Sequence, residues 1–115
     1  MDEALEVNVE RLGGVTVVRV AGEVDVASAP DLRKCLDDVP LDGSKVIVDL
    51  SDVSFLDSTG LGVLVGGWKR LNDGHRSSRM ALVVTRPEIV RVLEITGLTE
   101  VFDLFPALGE AMGAS

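Results

Sequence analysis

The chain has 115 residues, a formal net charge of −8 and an apolar fraction of 46%, with no tyrosine, one tryptophan and three phenylalanines. That length suits one domain, residues 1–115, and is enough to bury a mainly aliphatic core without metals or disulfides. The acidic balance argues against a DNA- or RNA-binding surface and against adhesion to anionic lipid, since both need clustered Lys and Arg.

From the amino end, Leu5 to Val9 alternates apolar residues with Glu6 and Asn8, as a half-exposed strand does. Leu12-Gly13-Gly14 predicts a hairpin turn, because glycine supplies the positive φ that tight turns need. Val15 to Val20 is β-branched and predicts a second strand, antiparallel to the first. Ser28-Ala29-Pro30-Asp31 then carries helix-start signals: Ser28 as N-cap, proline in the first turn and Asp31 completing a capping box. Leu32, Cys35, Leu36 and Val39 form its apolar stripe, which makes Cys35 a small buried apolar residue.

Val46 to Leu50 is a continuous apolar run suited to a central strand covered on both faces. A second helix is expected from near Ser58, with Leu61, Leu64, Val65, Trp68 and Leu71 on one stripe, giving way to the polar segment Asn72 to Ser78. Met80 to Val84 predicts another buried strand. Thr85-Arg86-Pro87-Glu88 reads as a second capping box, opening a helix that ends where Gly97 takes the left-handed C′ position and Leu98 folds back. Val101 to Phe105 is a final short strand, Ala107 to Met112 a weak terminal helix, and Gly113-Ala114-Ser115 a frayed end. The order ββαβαβαβα predicts an α/β fold: a mixed central sheet with an opening antiparallel hairpin and helices packed against it, ordered over about residues 5–112.

The segment between the central strand and the second helix, Ser51 to Gly62, is expected as a loop at the carboxyl end of a strand, where α/β sheets build their sites. Either Asp57 or Ser58 caps the helix, and in both cases the Ser58 hydroxyl lies beside unpaired backbone N–H groups. A phosphoserine carries about −1.5 to −2 charges, which a helix N-terminus accommodates, so the modification is tolerated there while Asp57 opposes it. By spacing alone, an ordinary cap explains Ser58 as well. Gly60 and Gly62 bare the backbone for a close neighbour. Gly66 and Gly67 each cost the helix about 0.8–1 kcal/mol, which is read as packing against the sheet, with contact by a partner as the alternative.

The residues offer little for catalysis. His75 is the only histidine, in a polar loop far along the chain from Ser58, and Gly-x-Ser-x-Gly is absent. One histidine and one cysteine make a zinc site unexpected, and no cofactor is implied. An aspartate-phosphorylated receiver domain, with Asp49 or Asp57 as acceptor, would carry a lysine after its last strand. Along the chain Lys34, Lys45 and Lys69 all stand away from Val101 to Phe105. The lone Cys35 suits a reducing compartment; the first residues lack the blocks of a signal peptide, and no apolar run approaches the roughly 20 residues of a membrane span, so the expected location is the cytoplasm.

The string Phe55-Leu56-Asp57-Ser58-Thr59-Gly60-Leu61-Gly62-Val63-Leu64, after Val46 to Leu50, resembles the signature of the bacterial anti-sigma factor antagonists of the STAS-domain family. Gly22-Glu23-Val24-Asp25 with Ala27 and Ser28 resembles that family's Gly-Glu-hydrophobic-Asp segment. Leu93 through Gly97-Leu98 with Phe102 resembles its Leu-x-x-x-Gly-Leu-x-x-x-Phe region. The resemblance covers nearly the whole chain and implies a STAS-like domain that works by partner switching. Unmodified, such a protein binds an anti-sigma factor that is itself a serine kinase and frees a sigma factor; phosphorylated, it lets go, and a serine phosphatase resets it. Carried over by position, Ser58 is the phosphoacceptor, and Asp57, Thr59, Gly60, Gly62, Glu23, Asp25 and Ser28 lie at the partner surface. The resemblance implies no catalysis by the chain and no direct contact with nucleic acid or membrane. STAS-like domains also serve as scaffolds of stress-sensing assemblies and as accessory domains of transport systems, which is the alternative reading. Gly66-Gly67 departs from the family's second helix in being glycine-richer.

Overall fold

β-branched runs build the sheet, and amphipathic segments cover it. The structure, a computed structural model, describes residues 4–73 and 79–114. In chain order they form β1 (Glu6–Leu12), β2 (Val15–Val24), α1 (Ala29–Asp37), β3 (Val46–Leu56), α2 (Ser58–Asn72), β4 (Met80–Val83), α3 (Pro87–Ile95), a 3-10 turn (Leu98–Glu100), β5 (Asp103–Phe105) and α4 (Leu108–Gly113). The five strands make one sheet in the order β1-β2-β3-β4-β5. β1 and β2 pair antiparallel, and every other pairing is parallel. The hairpin turns at Gly13 (φ 58°) and Gly14 (φ 81°), as the glycine pair predicts.

Strand alternation sorts the core into two layers. Val18, Val20 and Val24 of β2 with Val46, Val48 and Leu50 of β3 face α1, α2 and α3, meeting Leu32, Leu36, Leu64, Leu71 and Leu93. Val17, Ile47, Ala81 and Val83 face the other way, under Ala111 of α4. Burial on both faces explains the apolar run Val46 to Leu50 of β3, interrupted only by Asp49. Lys45, just ahead of β3, anchors α4: its ammonium donates to the carbonyls of Ala111 and Ala114 and lies 5.8 Å from the centre of the Phe105 ring.

β3 runs well past Leu50, so Ser51 to Leu56, expected as loop, is strand. It stays paired because β2 also continues, Ala21 opposite Asp52 through Val24 opposite Leu56, across two register shifts. Ser51, Asp52 and Ser54 interrupt the apolar run, so the pattern stops before the hydrogen bonding does. Gly22 sits at these shifts with φ 105°, and a Cβ there would fall 2.6 Å from the Ala4 carbonyl oxygen. Gly97 takes the expected left-handed conformation (φ 77°, ψ 8°), but Leu98 begins the 3-10 turn and thereby shortens the last strand.

Neither predicted capping box forms. Arg86 occupies the N-cap of α3 without a side-chain cap bond, and the Thr85 hydroxyl reaches toward the Ser51 carbonyl instead. Ser28 holds the N-cap position of α1, but its hydroxyl bonds elsewhere. Cys35, expected buried, is half-exposed. Gly67 does pack closely, its added Cβ lying 3.1 Å from Leu36 of α1 and 3.5 Å from Met80 of β4, whereas Gly66 meets nothing within 4 Å. His75 and most of the polar segment around it lie outside the described residues.

Leu64 lies fully buried between α2 and the sheet. Leu64→Ala is expected to lower the unfolding free energy in urea by about 2–5 kcal/mol with an unchanged m-value, as a partly relaxed cavity does.

Candidate functional site

The site lies where the carboxyl ends of β2 and β3 run side by side and hand over to α1 and α2. Asp57 has extended backbone (φ −99°, ψ −174°) and its Oδ1 accepts the Gly60 N–H at 3.1 Å, so Asp57 and not Ser58 caps α2. The Asp57 N–H donates to the Val24 carbonyl at 3.3 Å, and the Asp57 carbonyl accepts the Leu61 N–H at 3.0 Å. Ser58 is therefore the first residue of the helix, exposed, and among the described residues its hydroxyl has no hydrogen-bond partner. Exposed Thr59 comes next in the helix.

The second half of the site is the turn after β2. Asp25 Oδ1 accepts the Ala27 N–H (3.0 Å) and the Ser28 N–H (3.0 Å), with the Ser28 hydroxyl also within 3.1 Å. Ser28 Oγ donates its one proton to the nearer Glu23 carbonyl at 2.7 Å and accepts the Asp25 N–H at 3.0 Å. Ser28 thus knots the turn rather than capping α1. The Ser28 amide, foremost, and the Ser28 hydroxyl hold the Asp25 carboxyl below the ordinary aspartate range, partial burial opposing them. Glu23, Asp25, Ser28 and Asp31 line a surface depression of about 380 Å³. Because Glu23 sits opposite Phe55 and Val24 opposite Leu56, this acidic turn lies against the start of α2.

A groove of about 420 Å³ lies on the α1–α2 side, lined by Arg33, Asp37, Thr59, Gly62, Gly66 and Arg70. Arg70 is engaged, donating to the Leu36 and Val39 carbonyls at 3.2 and 3.1 Å. Gly62 is exposed, and nothing comes within 4 Å of an added Cβ. Gly60, expected at the partner surface, is buried against Val24 and Leu56; it faces the protein's own core.

The expected residues Glu23, Asp25, Ser28, Asp57, Ser58, Thr59 and Gly62 therefore come to one end of the sheet, with Gly60 beneath them. Two apolar side chains beside them were missed by residue-level reasoning: Phe55, 47% exposed, and Val26, 73% exposed. Phe55 and Leu56 point to opposite faces of β3, and Leu56 takes the core side while Phe55 stays exposed. Asp49, the other candidate acceptor, is buried, and its Oδ1 accepts the Ser51 N–H (3.0 Å) and hydroxyl (2.6 Å). Lys45 does approach Phe105 in space, contrary to its distance along the chain, but its ammonium is committed to α4. Among the described residues no three His, Cys, Asp or Glu side chains converge as metal ligands would, and no helix is long and apolar enough to cross a membrane.

Comparison with known proteins agrees with this geometry. The STAS domain family matches residues 6–111. An anti-sigma-B factor antagonist of Listeria monocytogenes is 38% identical over 95 residues, covering 82% of each chain. That of Bacillus subtilis is 40% identical over 87 residues, covering 76% of this chain and 78% of its own. The crystal structure of an anti-sigma factor antagonist from Mycobacterium paratuberculosis superimposes with a TM-score of 0.82 at 34% identity, over 95% of this chain and 92% of that one. The chain belongs to the STAS domain family, among its anti-sigma factor antagonists.

Two measurements probe the cap of α2 and the turn after β2. Asp57→Ala is expected to destabilise the fold by about 1 kcal/mol in urea titration, with Asp57→Asn nearly neutral because Asn caps as well. Carbon-detected NMR titration should give Asp25 a pKa below the usual carboxylate range, and Ser28→Ala should raise it. Since the folded-state pKa is the lower one, the turn's stabilisation is complete above the ordinary aspartate range and is lost as pH falls through the Asp25 pKa.

Proposed function

We propose that this antagonist works by partner switching in the cytoplasm: its unmodified form binds an anti-sigma factor with serine kinase activity and frees a sigma factor, and phosphate on Ser58 reverses this. A serine phosphatase resets the protein, and the chain itself catalyses nothing and contacts neither nucleic acid nor membrane directly. The observation that carries the reading is the division of labour at the start of α2, where Asp57 makes the cap bond and leaves the Ser58 hydroxyl exposed and unpaired among the described residues. A kinase can reach that hydroxyl, and modifying it removes no hydrogen bond that the fold uses.

Charge supplies the release. Asp57 precedes Ser58 directly, and the end of β2, the turn after it and the first turn of α1 add Glu23, Asp25 and Asp31 beside the start of α2. A surface that complements this rim is basic, with sockets for Phe55 and Val26. An interface fitted to a neutral serine would have to bury a dianion beside Asp57, at a cost of several kcal/mol. Moving a 99:1 bound population to 1:99 takes about 5.5 kcal/mol, which one buried phosphate can supply.

The test is incubation with ATP and anti-sigma factor serine kinases, read by intact mass. The wild-type chain and Thr59→Ala should gain one phosphate and Ser58→Ala none; phosphate on Ser58→Ala would overturn the site. Ser58→Asp should bind the same kinase about 100-fold more weakly in calorimetry, a loss near 2.7 kcal/mol, and wild-type affinity for it would overturn the release mechanism.

A further inference from the structure

Gly60 is held where any added side chain would force a neighbour to move. A Cβ built on it lies 2.5 Å from Leu56 Cδ1 and 2.7 Å from Val24 Cγ1, both far inside contact distance. The Leu56 methyl ends a flexible side chain and can swing aside. Val24 is β-branched, stiff at χ1 and fully buried, so it cannot. The close approach is thus between the first turn of α2 and the last residue of β2.

Val24 joins the two halves of the site three ways. Its carbonyl accepts the Asp57 N–H, its side chain abuts Gly60, and its successor Asp25 begins the knotted turn to Ser28. Gly60 in turn donates its N–H to the Asp57 carboxylate, the bond that sets Ser58 as the first helical residue. A side chain at position 60 would lift the first turn off β2, and Ser58 would move relative to Glu23, Asp25 and Ser28.

We infer that Gly60 is a positioning residue: its missing side chain sets the spacing between Ser58 and the acidic turn, and recognition by the kinase depends on that spacing. The inference rests on Ser58 being the phosphoacceptor. Gly60 touches no partner itself. Its effect runs through Val24, which makes the dependence removable from the other side of the contact.

Three variants test it: Gly60→Ala, Val24→Ala and the double variant, with the kinase that phosphorylates the wild-type chain in the intact-mass assay. Gly60→Ala should be phosphorylated with kcat/KM down about tenfold or more, carried mainly by KM, because a kinase surface fitted to one spacing of the two halves binds the altered spacing more weakly. Val24→Ala opens a cavity and should melt at lower temperature, yet keep kcat/KM near wild type. The double variant should recover most of the loss while remaining less stable than the wild type. Such recovery cannot come from stability alone, and a double variant no better than Gly60→Ala, or a Val24→Ala equally impaired, overturns the inference.

A partner-free measurement separates this from the function itself. In 15N-edited spectra, Gly60→Ala should shift the amides of Asp57 to Leu61 and of Val24 to Ser28 together, and adding Val24→Ala should return both sets. Shifts confined to Asp57–Leu61 would overturn the coupling. If the wild-type chain gained no phosphate, or Ser58→Ala gained it, the phosphoacceptor reading would fail, and the spectra would still decide the coupling.

Discussion

The parallel pairing of β2 with the far end of β3 is the contact on which the site depends. It survives two register shifts, with Gly22 at positive φ in the irregular stretch, and ends where the Asp57 N–H meets the Val24 carbonyl. Both strands leave the sheet at the same level. The knotted acidic turn after β2 and the capped helix after β3 form one surface from two distant stretches of chain. Parallel strands joined by a crossover helix bring carboxyl ends together in this way, which is why sites gather there.

Within that surface the polar groups are divided by role. Asp25 and Ser28 spend their hydrogen-bonding capacity on the turn, and Asp57 commits one carboxylate oxygen to the helix cap. Among the described residues the Ser58 hydroxyl has no hydrogen-bond partner, so the phosphate proposed for it would displace no hydrogen bond of the fold. The glycines of α2 divide similarly. Gly60 and Gly67 meet close neighbours inside the protein, whereas Gly62 and Gly66 face open space. The latter pair lowers helix stability by about 0.8–1 kcal/mol each with no internal packing in return.

Much of the architecture was legible because it arises from periodicity. The β-branched run of β2, the apolar run of β4 and the stripe Leu61, Leu64 and Leu71 each reflect burial against a surface, and all are present in the fold; β1 is a strand as its alternation predicts, although its Val9 is exposed. Gly13-Gly14 and Gly97 were legible for a different reason, since their positive φ values are demands that few other residues meet. The capping boxes were misread because a hydroxyl near a helix start has several acceptors within reach, and sequence spacing does not rank them. Ser28 chose the Glu23 carbonyl and Thr85 the Ser51 carbonyl, both supplied by strand ends that the local pattern does not reveal.

The amino-acid sequence by itself determined the order of elements, the turn glycines and the family signature, because each is encoded locally in residue type and spacing; Ser58 is the candidate acceptor through its place in that signature. Only the tertiary structure decided that β3 runs on to Leu56, that Asp57 is the cap and that Gly60 faces inward against Val24 while Gly62 faces out. Those outcomes depend on which groups lie opposite one another across paired strands. Strand pairing is non-local, and a string of residues specifies its partners only after the chain has folded.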